Sequence, residues 1–255
     1  TPLELDYGGD ASLTSDSAEG SIDSPVGDVS WDLSYEPDDV TFTPLRSRRI
    51  TDIAVALLGA GRHWSFNESV AMDGTLELGD ETVELEGAPG HQGHTVGTNV
   101  PESWSWVHCN SFDDETAVLE ALEIEGKLSV CFRHDGEVHM INRLHHVVGP
   151  LFNKSTANDV GEWRFLAKGD GVKLEAEVSV EPGKWRHAAY LTPDDTTRYV
   201  AHCSLADIRV KYQVKQGGDW SEPRVVESNA GRAEWSDVTP PAGDEDDYVP
   251  EEFVG

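Results

Sequence analysis

Turn signals recur along most of this chain at spacings that leave room for strands and little else. Gly79-Asp80, Asp135-Gly136, Gly169 to Gly171, Pro182-Gly183 and Pro193 to Asp195 each separate two segments that alternate in polarity or are rich in β-branched and aromatic residues. Each pair of flanking segments is predicted to form a hairpin, because Gly and Asp accept the left-handed conformations that tight turns need and Pro pre-sets a turn dihedral. Consecutive hairpins make an antiparallel meander. About eight such strands are expected to close into a barrel or fold into a deep sandwich, since open edges invite aggregation.

The pattern is densest over residues 61–235, which we assign to one β-barrel domain. Residues 1–60 read as a partial β lobe, with strand-like "VSWDLSYEP" and "VTFTPL" and a Ser/Gly/Asp-rich stretch before them. The segment "ITDIAVALLGAG" suits a short helix or a buried strand, and its length does not decide between them. Residues 236–255 are acidic and proline-rich, as expected of a solvated tail. The chain opens at Thr1 within a strand-rich pattern, which suggests a longer protein trimmed at its amino end.

Charge narrows the partners. Asp and Glu number 48 against 19 Lys and Arg, for a formal charge of −29, so nucleic acid is not an expected partner: phosphate binding needs the opposite sign. The acidic residues are spread through the chain and Lys is scarcer than Arg, which resembles the surface chemistry of a halophile, where salt screens self-repulsion. No apolar run is long enough to span a bilayer. Three cysteines, Cys109, Cys131 and Cys203, without a close pair give no disulfide framework, and a cytoplasmic, reducing compartment is the expectation.

One segment concentrates unusual residues. In "PESWSWVHCNSF", residues 101–112, period-two alternation sends Trp104, Trp106, His108 and Asn110 to one side and Ser105, Val107, Cys109 and Ser111 to the other. The bulky face is either a packed core that includes a satisfied His and Asn, or the wall of an apolar cavity with polar groups placed to act on a ligand. An imidazole beside a carboxamide in such a wall is suited to proton transfer. Cys109 is expected to face away from it as a buried thiol. His91 and His94 lie in the glycine-rich "GAPGHQGHTVGT", read as a loop, and His202-Cys203 sits on a late strand that a closed meander would bring near the tryptophans. Their spacing is a weak metal signature, so neither metal nor cofactor is expected, and no nucleophile elbow, phosphate loop or dinucleotide fingerprint is present.

The run "GHQGHTVGTNVPESWSWVHCNSF", with the hairpin "DGTLELGDETVELEGAPG" and "VSWDLSYEPDDVTFTPL" before it, resembles the tocopherol cyclase family and its two-lipocalin relatives, which include carotenoid hydratases and some fungal cyclases. "WRFLAKGDGVKLEAEVSV" and "AHCSLADIRVKYQV" look like that family's closing strands, so the resemblance extends over about residues 28–214 and is dense around 85–113. It implies an all-β fold: a lipocalin-like antiparallel barrel as second lobe, preceded by what remains of a first lobe. Where plant-type cyclases carry Glu-Lys-Asn-Trp-Gly, this chain has His94, Thr95, Val96, Gly97 and Thr98, so His94 would have to replace the family's acid.

The resulting expectation is a protein that holds an isoprenoid or other apolar small molecule inside the second barrel. Trp104, Trp106, His91 and His202 would line the ligand, His94 or His108 would act as general acid, and Asn110 would orient substrate or water in a cyclisation, isomerisation or hydration. Aromatic faces suit developing carbocations, contributing about 0.5 to 2 kcal/mol each. The alternative is a carrier or sensor of the same ligand class without chemistry, and a third reading is a structural domain with a filled core. A transient membrane-surface contact for ligand exchange accompanies the first two.

Overall fold

A computed structural model describes residues 4–6, 10–23, 27–58, 61–96, 100–148, 151–191, 197–236 and 238. By their contacts the residues fall into two units, Thr1–Thr41 with Ser65–His94, and Phe42–Trp64 with Thr95–Gly255. In this division the chain leaves the first unit after Thr41 and returns to it at Ser65. The acidic segment 236–255 lies outside the described residues except for Ser236 and Val238.

The first unit is built on a six-stranded antiparallel meander: β1 (Glu4–Asp6), β2 (Ala11–Thr14), β3 (Ser17–Ile22), β4 (Val29–Glu36), β5 (Arg62–Leu78) and β6 (Glu81–Val96), in that spatial order. The last two strands turn at Gly79-Asp80 as expected, but β5 pairs with β4 and β6 with β5, so the hairpin belongs to this sheet and not to the second. Gly74 makes that pairing feasible: at φ 136° its missing Cβ would stand 2.1 Å from the Asp32 carbonyl oxygen. The glycine-rich run around His91 and His94 is strand, not loop. A buried amide pair pins it, Asn67 Nδ2 donating to Gln92 Oε1 at 2.7 Å while Gln92 Nε2 donates to the Thr14 carbonyl at 2.8 Å.

Helix α1 (Arg48–Leu58) resolves the ambiguity of "ITDIAVALLGAG" in favour of helix. "VTFTPL" forms no strand; its only ladder contact is a single bridge at Phe42.

The second unit carries an eleven-stranded sheet: β7 (Trp104–Cys109), β8 (Val118–Ile124), β9 (Lys127–His134), β10 (Glu137–Ile141), β11 (Lys154–Asp159), β12 (Glu162–Gly169), β13 (Val172–Ser179), β14 (Arg186–Leu191), β15 (Thr197–Gln216), β16 (Asp219–Trp220) and β17 (Arg224–Ser236), with helix α2 (Leu144–Val147) between β10 and β11. The path is β10-β9-β8-β7-β17-β15-β13-β12-β11, with β14 and β16 also paired to β15. The turns at Asp135-Gly136 and Gly169–Gly171 make the expected hairpins. Pro182-Gly183 does not: β13 pairs with β15 over eight rungs, and β14 pairs only with the outer part of β15. β14 and β15 do form a hairpin, although the turn at Pro193 to Asp195 lies outside the described residues.

The sheet does not close into a barrel by strand pairing. Its edge strands β10 and β11 are joined by side chains instead. Asn153, buried just before β11, donates its amide to the carbonyls of Leu128 at 2.9 Å and Ile141 at 2.7 Å, on β9 and β10. Farther along β11, Asn158 Nδ2 donates to Glu123 Oε1 of β8 at 2.9 Å, Ser155 donates to Glu123 Oε2, and Ser105 of β7 and Trp235 of β17 donate to Asn158 Oδ1 at 3.1 and 3.0 Å. The polar groups of Asn158, Glu123 and Ser155 are thus satisfied inside the curled sheet, as burial demands, whereas Asn153 Oδ1 has no hydrogen-bond partner among the described residues.

The rest of that interior is packed with apolar side chains: Val107, Cys109, Leu119, Phe132, Trp163, Phe165 and Tyr212 belong to one contiguous buried cluster. This corrects the expected orientation of the tryptophan strand. Alternation holds, but Val107 and Cys109 face the interior, and Trp104, Trp106 and His108 lie on the opposite face. The expected ligand cavity inside the second barrel is occupied by core. The opposite face is met toward β9 and β10 by Thr43 and Pro44: Ser129 Oγ donates to the Pro44 carbonyl at 2.5 Å and Asn142 Nδ2 to the Thr43 carbonyl at 2.7 Å.

Candidate acid-base and ligand site

On the outer face of the second sheet, ladder register places functional side chains in rows. His202 of β15 stands opposite Glu234 of β17, which stands opposite Trp106 of β7, which stands opposite Leu122 of β8. In the next row Arg232, His108, Glu120 and Cys131 follow one another across β17, β7, β8 and β9. Neighbours in such a row have Cβ atoms about 5 Å apart and diagonal neighbours about 7 Å, within reach of an indole.

Trp106 uses that diagonal. Its indole N–H donates to Glu120 Oε1 at 2.8 Å, and its ring stacks on His108 with centroids 6.1 Å apart. Glu120 is completely buried and His108 is 2% exposed. The same Oε1 lies 3.3 Å from Nε2 of His63, whose Nδ1 is 2.8 Å from the Thr95 hydroxyl. His63 is half-buried, so it links an enclosed carboxylate to a more open position. A carboxylate bridged to an imidazole in this way can hold or pass one proton.

Trp104 repeats the motif one row along. Its indole donates to Glu234 Oε1 at 2.6 Å, while Tyr190 donates its hydroxyl to Glu234 Oε2 at 3.1 Å and His202 Nδ1 lies 3.7 Å from the same oxygen. Trp104 and Tyr190 are nearly parallel, with centroids 6.4 Å apart. Burial alone would push the Glu234 carboxyl up, but the bonds from His202, Trp104 and Tyr190 outweigh it and hold it below its ordinary range. Tyr190 is shifted the other way: burial first and the Glu234 charge second keep its phenol protonated well above the usual value.

The structure thus brings together Trp104, Trp106, His108 and, through Glu234, His202. Asn110 is half-buried just past the end of β7. His91 and His94 belong to the first unit, on β6. Glu120, Glu234 and His63 escaped the sequence reading. Glu120 had left a signal, since "VLEALEI" is an otherwise apolar strand interrupted by carboxylates, and a charge in such a strand is buried only with partners. Among the described residues no group of three or more His, Cys, Asp or Glu side chains could hold a metal ion. No helix among them is long and apolar enough to cross a membrane.

The fold is all-β, with two antiparallel sheets among the described residues. The chain belongs to the tocopherol cyclase-like family, whose model matches residues 22–188. Glu120, His63 and the tryptophan strand lie inside the match, and Glu234 and His202 lie beyond it. A similar solved structure is that of a protein assigned as AttH from Nitrosomonas europaea, at 13% identity and a TM-score of 0.46 over 92% of this chain and 69% of that one. Comparison with curated protein sequences gives no match.

Proposed function

We propose that this chain binds an apolar small molecule of the isoprenoid class on the Trp104-Trp106-His108 face and catalyses a proton-initiated cyclisation, isomerisation or hydration there. The observation that carries the reading is the enclosed Glu120 carboxylate, shared by the Trp106 indole and the His63 imidazole beside the stacked His108. The ligand class rests on family membership. In this scheme the Glu120-His63 pair delivers a proton to an alkene carbon and the tryptophan faces stabilise the resulting cation. An internal hydroxyl, loss of a neighbouring proton, or water then completes the reaction, and the released proton returns to the pair. His108 and Asn110 orient the substrate or the water.

A second reading, a carrier or sensor without chemistry, is favoured by one observation: the family's acid and lysine are replaced by His94 and Thr95, and the Thr95 hydroxyl is bonded to His63. Both readings place the protein in a reducing cytoplasm, in keeping with its three free, buried cysteines, and in a high-salt cell, in keeping with its charge. Both also include transient contact with a membrane surface for ligand exchange.

The test uses ligand retained by protein purified from its host and identified by native mass spectrometry. Incubation of the wild type should convert it, and Glu120→Gln should slow conversion by a factor of about a hundred or more while changing affinity less than about tenfold. If the wild type retains an apolar molecule and never alters it, the carrier reading replaces the catalytic one.

A further inference from the structure

Four of the chain's seven lysines, Lys168, Lys173, Lys211 and Lys215, gather on one patch of a protein whose net charge is −29. Lys168 of β12 stands directly opposite Lys173 of β13. Like charges in that position repel, and both ammonium groups turn to the Trp220 ring, whose centroid lies 4.8 Å from that of Lys173 and 6.0 Å from that of Lys168. Lys215 pairs with Trp220 on the neighbouring rung. Next to them is a shallow groove of about 400 Å³ lined by Leu151, Leu166, Lys168, Lys173 and Lys211, with Glu175 as its one acid. Asp170, in the turn that joins the two lysine strands, is engaged by Arg46 at 2.8 Å and Arg143 at 3.4 Å.

The same patch exposes large apolar side chains. Leu151, beyond α2, is 82% exposed and Leu166, on β12, 40%, and both line the groove. Exposed leucines beside these lysines form an amphiphilic surface, since the apolar parts can enter acyl chains while the ammonium groups stay at headgroup level.

We propose that this patch docks the protein on an anionic lipid surface, with Leu151 and Leu166 entering the headgroup boundary and Lys168, Lys173 and Lys211 meeting lipid phosphates. An anionic surface relieves the Lys168-Lys173 repulsion that the fold leaves standing. The large negative charge elsewhere does not prevent docking, because the Debye length is about 8 Å at 0.15 M salt and about 3 Å in the molar salt of the proposed cell, so carboxylates farther away are screened while ammonium groups in contact with phosphate are screened least. The inference gives a location to the membrane contact included in the proposed function. Its test needs no ligand and no turnover, so either idea can fail without the other.

The experiment is flotation of the full chain with vesicles of phosphatidylcholine alone and of equimolar phosphatidylcholine and phosphatidylglycerol, at about 0.15 M and about 1 M potassium chloride, with circular dichroism confirming the fold at both. Binding should occur to the anionic vesicles and not to the neutral ones. The double variant Lys168→Glu/Lys173→Glu and the single variant Leu151→Ser should each weaken it about tenfold or more, with unchanged far-ultraviolet circular dichroism. No binding, equal binding to both vesicles, anionic binding unaffected by both variants, or displacement of the protein from vesicles by a stoichiometric amount of soluble polyphosphate would each overturn the proposal.

Discussion

The Trp106 indole donates to Glu120 Oε1 at 2.8 Å on one face of β7 and β8, while the adjoining residues Val107 and Ala121 close a fully buried core on the other. Two chemically different surfaces are thus produced by one pair of strands. The core face holds the sheet together. The face that carries Trp106 and Glu120 is the one the proposed function uses.

The core side makes the first prediction. Burial pushes the Cys109 thiol up, against smaller opposing bonds from Ser228 and the Ser111 backbone, so little thiolate is available for reaction. Cys131 and Cys203 are buried as well. A native sample titrated with a thiol-specific chromogenic reagent should stay unreactive until denaturant is added, and then release about three equivalents. Rapid native labelling of Cys109 would contradict its place in the core.

What the sequence disclosed follows from the physics of strands. Hairpins at Gly79-Asp80, Asp135-Gly136 and Gly169–Gly171 were legible because their turns are local. The turn at Pro182-Gly183 misled, because β13 finds a better partner in the long β15, and sequence carries no local record of that choice. Alternation separated Trp106 from Val107 correctly and yet could not say which face is inside. Period two has no sign of its own, and here both faces are covered, one by the core and the other in part by Thr43 and Pro44. Glu234 and His202 are 32 residues apart in sequence and come together only through the β15-β17 ladder, so no spacing could have joined them.

The seam of the second sheet depends on Asn153. Asn153→Ala would leave the Leu128 and Ile141 carbonyls without that donor inside the protein, at a cost of about 1 to 3 kcal/mol. Denaturant midpoints should fall accordingly with little change in slope. An unchanged midpoint would mean that Asn153 does not hold the edge strands together.

Acid should destabilise the fold in two stages. His146 is buried, its Nδ1 has no hydrogen-bond partner among the described residues, and burial followed by the charges of His145, Arg143 and Arg46 holds its pKa below the ordinary 6.5, with only Asp170 opposing. The unfolded chain therefore takes up a proton that the folded one resists, and stability is lost as pH falls below that value. Glu234 acts lower: with a folded pKa below its ordinary 4.5, its contribution is complete above 4.5 and disappears as pH falls through the depressed value. Melting temperature measured against pH should show both stages. His146→Gln should flatten the upper one and Glu234→Gln the lower one, and profiles unchanged by either substitution would contradict these assignments.

Salt should stabilise the protein strongly. With a formal charge of −29, dilution from 1 M to 0.01 M lengthens the Debye length from about 3 Å to about 30 Å and exposes the carboxylates to one another. Melting temperatures in potassium chloride should rise across that range. A melting temperature independent of salt would refute the halophilic reading of the composition.

The central claim is that an apolar ligand meets the Trp104-Trp106-His108 face and not the interior of the second sheet. Photo-crosslinking with a diazirine-bearing isoprenoid, mapped by tandem mass spectrometry, tests it most directly. Labels should fall on Trp104, Trp106, Leu122 or His63, and Trp106→Ala should reduce labelling at the remaining sites. Labels on Phe165, Val178 or Tyr212, which lie in the buried cluster of the second sheet, would contradict the account.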